Sequence, residues 1–100
     1  MPFNSQLYAF DAATLGTVNA VGAVYGLFKP NYSRPGWYIC LYVGLTDNLR
    51  RRLVEHFNNP PIAGATHFFA EVITSDLQRR LREQQLIAEF NPPGNETRGG

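Results

Sequence analysis

Two apolar runs in the first half of the chain have the composition of neighbouring β-strands. The first is residues 23–28, AVYGLF, and the second is residues 37–45, WYICLYVGL. Aromatic and β-branched residues favour strands, and their density in the second run predicts a central position in a sheet. The segment between the runs, KPNYSRPG, consists largely of turn-forming residues. The two strands are therefore expected to pair as an antiparallel hairpin with a long loop.

The spacing of apolar residues becomes helical after residue 46. TDN supplies helix-capping residues, and a helix is predicted from there to about Asn58. At about 100° per residue, Leu49, Leu53 and Phe57 form one apolar stripe along this helix. The stripe indicates that one side of the helix faces the core.

The second half of the chain predicts a loop, a strand and a second helix. NNPPIAGA has loop composition, and residues 67–73 form the third strand. Ser75 is the expected cap of the last helix, with Gln78 three residues further on as in a capping box. The helix is expected to end near Phe90 because Pro92 follows closely.

The order of these elements is β-β-α-β-α, which predicts a mixed α+β domain. We expect a small three-stranded antiparallel sheet flanked by helices, and 100 residues suit a single domain. The domain is predicted over residues 22–95. Residues 1–21 are an N-terminal extension expected to pack on it, in which Asp11 caps a short helix over Ala12–Leu15. Residues 96–100 form a polar tail that is expected to fray.

Charge placement is more informative than the total charge. The net charge of +1 is lower than that of a typical strong nucleic-acid binder. Five of the nine basic residues nevertheless lie in two short clusters, Arg50, Arg51 and Arg52 in one and Arg79 and Arg80 in the other.

The chain has few features of a secreted or membrane protein. Cys40 is the only cysteine and lies in an apolar run, so it is expected to be a buried thiol in a reducing compartment. The apolar run over residues 38–45 is too short to span a bilayer, and no signal-peptide pattern precedes it. We expect a soluble cytoplasmic protein that does not act on membranes.

The three consecutive arginines of the first helix are not equivalent. Arg52 and His56 are spaced i and i+4 and lie together on one edge of the apolar stripe, whereas Arg50 and Arg51 point elsewhere. One interpretation is an arginine that extends to solvent beside a partly buried histidine. The other is a cationic pair that faces an anion.

Glu83 lies in the apolar sector of the last helix, between Ile87 and the pair Leu86 and Phe90. A buried carboxylate without a partner costs several kcal/mol, so Glu83 should have a partner or a raised pKa. One hypothesis is an ion pair with an arginine such as Arg52 or Arg80. The other is a divalent metal, because Mg²⁺ commonly binds one or two carboxylates together with water and phosphate oxygens.

Three aromatic or imidazole side chains are expected to be structural. Trp37 and Tyr38 are interpreted as core residues, and His67 as a structural or surface residue that could alternatively contact substrate.

Together, the tyrosines of the hairpin, the Arg52–His56 pair and Glu83 supply the groups that phosphodiester hydrolysis requires. These are a base for water, cationic donors for the developing charge and a metal ligand.

These residues also resemble those of the GIY-YIG nuclease family. The two half-motifs of the family are matched by Ala23-Val24-Tyr25 and Tyr42-Val43-Gly44. Arg52 follows the motif tyrosine by ten residues and His56 by four more, as in the family. The last helix and the segment after it carry the family's remaining pattern, which is matched by Glu83, Leu86-Ile87, Pro92 and Asn95.

Two departures accompany this resemblance. Ala23 stands where the family has its first glycine, although Gly22 precedes it. The loop between the half-motifs is longer than is usual for the family. Neither departure removes a candidate catalytic side chain.

The resemblance implies a role for each matched residue. Glu83 would bind one divalent metal ion, Mg²⁺ or Mn²⁺, and Tyr25 would be the general base or its relay. Tyr42 would position the scissile phosphate or the water, and Arg52 would stabilise the transition-state charge. His56 would assist proton transfer or hold Tyr25. Asn95 and Gly44 would support the site, and substrate contacts are expected from Lys29, Arg34, His67, Arg79 and Arg80.

Three functions follow from these expectations. The first is a metal-dependent endonuclease that cuts DNA by direct water attack, with DNA repair or recombination as its setting. RNA stays open as a substrate, and a partner protein could supply targeting. The second is a catalytically inactive nucleic-acid-binding module on the same scaffold. The third is a structural or protein-interaction domain in which Glu83 and Arg52 form an ion pair.

Overall fold

The computed structural model describes residues 7–96 of the chain. Its elements are, in order, β1 (Tyr8–Ala9), α1 (Ala12–Leu15), β2 (Ala23–Pro30), β3 (Tyr38–Thr46), α2 (Leu49–Asn58), β4 (His67–Val72), α3 (Asp76–Phe90) and α4 (Pro93–Glu96). The mixed α+β class is therefore as predicted. Residues 1–6 of the predicted extension, and the predicted tail beyond Glu96, lie outside the described residues.

The sheet has four antiparallel strands in the order β1-β4-β2-β3, and two predictions about it were wrong. A sheet of three strands was predicted, and the structure adds a fourth, β1, in which Tyr8 pairs with Phe68. This strand has only two residues, which is too short to produce an alternating sequence pattern. The central strand is β2 and not β3. Although β3 lies at an edge, its composition is apolar because side chains on both of its faces are buried. Tyr42 lies in one core cluster and Val43 in the other.

A helix packs on each face of the sheet. Leu49 and Leu53 of α2 share a buried cluster with Tyr25 and Tyr42. On the opposite face, Leu86 of α3 shares a second cluster whose members are Val24, Phe28, Cys40, Val43 and Phe69. Alternation of side chains along β2 sends Tyr25 to the α2 face and its neighbours to the α3 face.

A bulge in the hairpin determines which face Tyr42 occupies. Leu27 pairs with Tyr42 while Phe28 pairs with Cys40, so Leu41 is the extra residue in β3. Plain alternation along β3 would place Cys40 and Tyr42 on the same face, but they lie in the clusters on opposite faces. The bulge places Cys40 on the α3 side and keeps Tyr42 on the same face as Tyr25.

Local caps fix where the helices begin, as the sequence predicted. The side chain of each cap residue accepts a hydrogen bond from the backbone N–H three positions further on. The pairs are Asp11 with Thr14, Asn48 with Arg51, and Ser75 with Gln78. Asn91 ends α3 in the left-handed conformation, with φ of 46°. No helix among the described residues is long and apolar enough to cross a bilayer.

Trp37 and Tyr38 are not core residues, contrary to the sequence interpretation. Both are exposed at the tip of the β2–β3 hairpin. The tip extends beyond the region that either helix covers, so aromatic residues that favour a strand remain in solvent there. Cys40, by contrast, is buried as predicted.

Candidate active site

A hydrogen bond between Tyr25 and His56 joins the central strand to α2. The Tyr25 hydroxyl lies 2.7 Å from His56 Nε2, and both residues are buried. Tyr25 points toward α2 because of its place in the alternation of β2. His56 meets it because it lies one turn beyond Leu53, which anchors the helix in the same core cluster.

Tyr42 completes an aromatic group around this bond. Its ring centroid is 6.2 Å from that of Tyr25 and 5.5 Å from the imidazole of His56, the latter in an edge-on arrangement. These spacings are those of favourable aromatic contacts, so the three rings hold one another in place.

Gly44 lies directly opposite Tyr25 in the β2–β3 register. A Cβ atom at this position would lie 2.5 Å from the Tyr25 hydroxyl oxygen and 3.0 Å from Cε2 of Tyr42. The absence of a side chain therefore leaves room for the hydroxyl on the β3 side. Glycine is required here for space, because its φ is not in the left-handed region.

Arg52 lies at the border of this group and is half-buried. Its side chain is 42% exposed, and Nε lies 3.5 Å from Oε1 of Glu55. Within the described part of the chain, Nε is shielded from solvent and makes no hydrogen bond. Arg52 lines an open cavity of about 500 Å³ together with His56, Glu55, Asn58 and Asn59.

A second cleft extends from Arg52 toward the start of α3. It has a volume of about 240 Å³, and Arg52 lines it with Leu45, Thr46, Asp47, Asp76, Arg79 and Arg80. Since three of these side chains are guanidinium groups and two are carboxylates, the cleft has a net positive charge. A phosphate group has the size and charge for such a cleft.

Glu83 follows this cleft along α3. It is half-buried and lies one turn beyond Arg79 and Arg80, and two turns beyond Asp76, on the same side of the helix. Among the described residues, no group of three or more His, Cys, Asp or Glu side chains is placed to hold a metal ion. A metal ion here would be held by one carboxylate, with water and phosphate oxygens completing its coordination.

The solved structures that are similar to this chain include an endonuclease domain. The chain matches the GIY-YIG N-terminal endonuclease domain of UvrC from Thermotoga maritima bound to magnesium, with a TM-score of 0.63 and 19% identity over 82% of this chain and 91% of that one. A tyrosine-to-phenylalanine variant of the same domain matches with a TM-score of 0.63 and 20% identity, over 82% and 90% of the two chains. The chain has the GIY-YIG fold. No protein-family model matches the sequence, and no curated protein sequence matches it significantly.

The departure from the GIY-YIG half-motif at Ala23 is accommodated by the fold. Ala23 is fully buried and pairs with Thr46 on one side and Val72 on the other. Its methyl group belongs to the same core cluster as Tyr25. The adjacent Gly22 lies against the guanidinium of Arg79, where any side chain would collide with it.

Arg79 has structural contacts that argue against the predicted role in substrate binding. Its side chain is buried, Nη1 donates to the Ile73 carbonyl oxygen at 2.7 Å, and Nη2 pairs with Asp76. The sequence could not distinguish it from Arg80, since the two are adjacent on α3. Arg80 is exposed and is the cation of this pair that remains available to a substrate.

The other predicted substrate contacts lie at the far end of the GIY-YIG hairpin. Lys29 and Arg34 belong to its tip, and His67 pairs with Phe28, three residues along β2 from Tyr25. The His67 ring packs edge-on against Tyr38 at 5.1 Å, and its Nδ1 lies 2.7 Å from Oγ1 of Thr66. The structure therefore separates these residues from the Tyr25–His56 pair.

The side chain of Asn95 pairs with the backbone of the edge strand β3. Its Oδ1 accepts a hydrogen bond from the Val43 N–H and its Nδ2 donates to the Val43 carbonyl, both at 2.8 Å. The edge strand that carries Tyr42 and Gly44 is thus tied to α4. Gly94 makes this approach possible, because a Cβ there would lie 2.6 Å from the Leu41 carbonyl oxygen.

Two residues near the site were missed by the sequence analysis. Glu55 is the acidic neighbour of Arg52, and its i+3 spacing was a signal that could have found it. Gly94 had no comparable signal, because its contact with Leu41 depends on how α4 docks on the sheet.

Proposed function

We propose that the protein is a metal-dependent endonuclease that hydrolyses phosphodiester bonds of DNA by direct water attack. The observation that carries the proposal is the buried Tyr25–His56 hydrogen bond beside Arg52, within the GIY-YIG fold. The UvrC domain that shares this fold is an endonuclease domain, which supports nuclease chemistry here.

Tyr25 and His56 would act together as the proton acceptor for the attacking water. A tyrosine with its ordinary pKa of about 10 is a poor base at neutral pH. When His56 carries its proton on Nδ1, its Nε2 can accept the Tyr25 hydroxyl proton while Tyr25 accepts one from water. This relay avoids a free tyrosinate.

Arg52 and Arg80 would hold the scissile phosphate. Both line the positively charged cleft between α2 and α3. Guanidinium groups donate two parallel hydrogen bonds to phosphate oxygens, and those bonds strengthen as charge develops in the transition state. Tyr42 would fix the position of the phosphate from the side of β3.

Glu83 would hold one divalent metal ion, Mg²⁺ or Mn²⁺. A single carboxylate next to a phosphate-binding cleft fits this ion, since Mg²⁺ retains several waters and binds substrate phosphates. When bound, the ion would stabilise negative charge on the leaving oxygen. The related UvrC domain was crystallised with its catalytic magnesium ion.

Cleavage assays on purified protein would test this function. Supercoiled, linear, branched and single-stranded DNA would be incubated with Mg²⁺ or Mn²⁺, and with a chelator as control. We expect metal-dependent cleavage that Glu83→Ala abolishes. Salt-sensitive binding without cleavage under all conditions would support the non-catalytic binding module instead.

A further inference from the structure

The tip of the β2–β3 hairpin exposes three large aromatic side chains within seven consecutive residues. Tyr32 is 79% exposed, Trp37 58% and Tyr38 41%. Aromatic side chains of this size usually contribute to a core or to an interface. We call residues 29–38 the hairpin tip.

The hairpin tip has a defined backbone conformation. The Asn31 N–H donates to the Trp37 carbonyl at 2.8 Å, and the Trp37 N–H donates to the Arg34 carbonyl at 3.0 Å. The second bond closes a β-turn with Pro35 and Gly36 at its centre, and Gly36 has the positive φ of 89° that a type II turn requires. Binding to this surface would therefore cost little ordering entropy.

This turn brings Arg34 onto the face of Trp37. The guanidinium carbon lies 4.2 Å from the ring centroid, in the geometry of a cation–π contact. Because Trp37 remains more than half exposed despite this contact, a flat ligand can still stack on its ring. The contact thus combines a stacking surface with a fixed positive charge.

The hairpin tip is positively charged, and no acidic residue lies near it in the sequence. It carries Lys29 and Arg34, and no acidic residue occurs between Asp11 and Asp47. Stacking surfaces combined with cations are the means by which proteins bind unpaired bases and the phosphates that join them. A protein partner would have no need of this charge unless it were acidic.

We propose that the hairpin tip binds unpaired bases of a single-stranded nucleic-acid segment, with Trp37 as the stacking platform and Arg34 and Lys29 as phosphate contacts. The inference rests on the proposed function in taking nucleic acid as the substrate. Trp37 precedes Tyr42 by five residues, and because Leu41 is the extra residue of the bulge, the separation along the hairpin is that of about four strand residues, roughly 13 Å. That length matches about four stacked nucleotides, so the preferred substrate has an unpaired stretch a few nucleotides from the cleaved bond.

Intrinsic fluorescence reports on this site directly, because Trp37 is the only tryptophan. The full chain would be titrated, in chelator and without metal, with an oligothymidylate of roughly 12 nucleotides, within the range of single-strand binding sites. We expect saturable quenching that weakens with added salt. A fully paired duplex of the same length should quench much less. Equal quenching by the duplex, or none by the single strand, would overturn the proposal.

Anisotropy of a labelled oligothymidylate would then measure the contribution of each side chain. Trp37→Ala should weaken binding roughly 5- to 150-fold, the range for loss of one stacked base. Arg34→Ala should weaken it as well and reduce the salt dependence. Tyr8→Leu, which changes an exposed aromatic on the opposite edge strand, should leave the affinity unchanged. Wild-type affinity in Trp37→Ala would overturn the proposal and favour a protein as the occupant of the tip.

These measurements separate this inference from the proposed function. Binding is measured without metal and can be repeated with Glu83→Ala, so it does not depend on cleavage. Quenching by single strands in a protein that never cleaves DNA would support the hairpin-tip site while contradicting the endonuclease. Metal-dependent cleavage with no single-strand quenching would support the endonuclease while contradicting the hairpin-tip site.

Discussion

The hydroxyl of Tyr25 on the central strand lies 2.7 Å from His56 Nε2 on the helix that follows the hairpin. The two residues are 31 positions apart in the chain, and the fold excludes nearly all solvent from both. A polar pair in such a place is costly unless its hydrogen bond is made. The pair is thus both a structural link and the group on which the proposed proton transfer depends.

Tyr25→Phe tests that dependence. The substitution keeps the packed ring and removes only the hydroxyl, so we expect cleavage to fall by about 10²- to 10⁴-fold, the usual contribution of general acid–base catalysis. Stability should fall by about 1–3 kcal/mol, because His56 Nε2 loses its partner. Single-turnover cleavage and chemical denaturation would measure the two effects. Tyr8→Phe is the matched control, and equal activity of both variants would exclude Tyr25 from the chemistry.

Adjacent arginines of α2 offer a second matched pair. Arg52 lines both clefts of the candidate site, whereas Arg51 is exposed and pairs with Asp47 at 3.3 Å. Arg52→Ala should lower the cleavage rate about 10²- to 10³-fold through loss of charge stabilisation. Arg51→Ala should leave it nearly unchanged. Both should alter stability by no more than about 1 kcal/mol, since each removes an ion pair with a solvent-exposed carboxylate. Comparable losses of activity in the two variants would contradict the assignment.

Gly44→Ala should disturb the site through a steric contact with Tyr25. The added Cβ would lie 2.5 Å from the hydroxyl oxygen and 2.6 Å from Cζ. We expect a loss of about 1–3 kcal/mol, as for other overpacked cores, together with a large loss of activity. In the Tyr25→Phe background the cost should be smaller, because the nearest clashing atom is gone. Strictly additive effects in this double-mutant cycle would show that the two positions do not interact.

Cys40 should make stability fall at alkaline pH. Burial raises the pKa of its thiol from 9.0 to about 12. Between these values the unfolded chain has lost the thiol proton while the folded chain retains it, so the free energy of unfolding decreases as pH rises. Denaturant titrations from pH 8 upward would show this decline, and Cys40→Ala should remove part of it. A thiol reagent that labels the native protein rapidly at pH 8 would contradict the buried state.

The sequence determined most of the local structure but little of the long-range arrangement. The caps at Asp11, Asn48 and Ser75 were predictable because each contacts a residue only three positions away. Strand β1 was not, because two residues carry no periodicity and its partner β4 lies far along the chain. The exposure of Trp37 was missed for a related reason, since composition cannot show where the covering helices end.

The candidate site was predictable to the extent that helical geometry controls it. The three arginines of α2 differ as predicted, with Arg52 at the border of the core beside His56. Sequence did not indicate that Arg50 contacts the loop between α1 and β2, where its Nε donates to the Val18 carbonyl at 2.6 Å. It also could not show that Arg79 is buried and Arg80 exposed, because that difference depends on how α3 docks against Gly22 and Ile73.

The proposed cleavage depends on a metal ion held by Glu83, and a comparison of two glutamine variants tests this dependence. Single-turnover cleavage would be measured for wild type, Glu83→Gln and the control Glu89→Gln, an exposed carboxylate on the same helix, over a range of Mn²⁺ concentrations. Thermal melts of the same proteins would confirm that they are folded. We predict saturable metal-dependent cleavage by wild type and the control, and none by Glu83→Gln although it melts normally. Cleavage by folded Glu83→Gln with the wild-type metal dependence would show that Glu83 does not hold the ion.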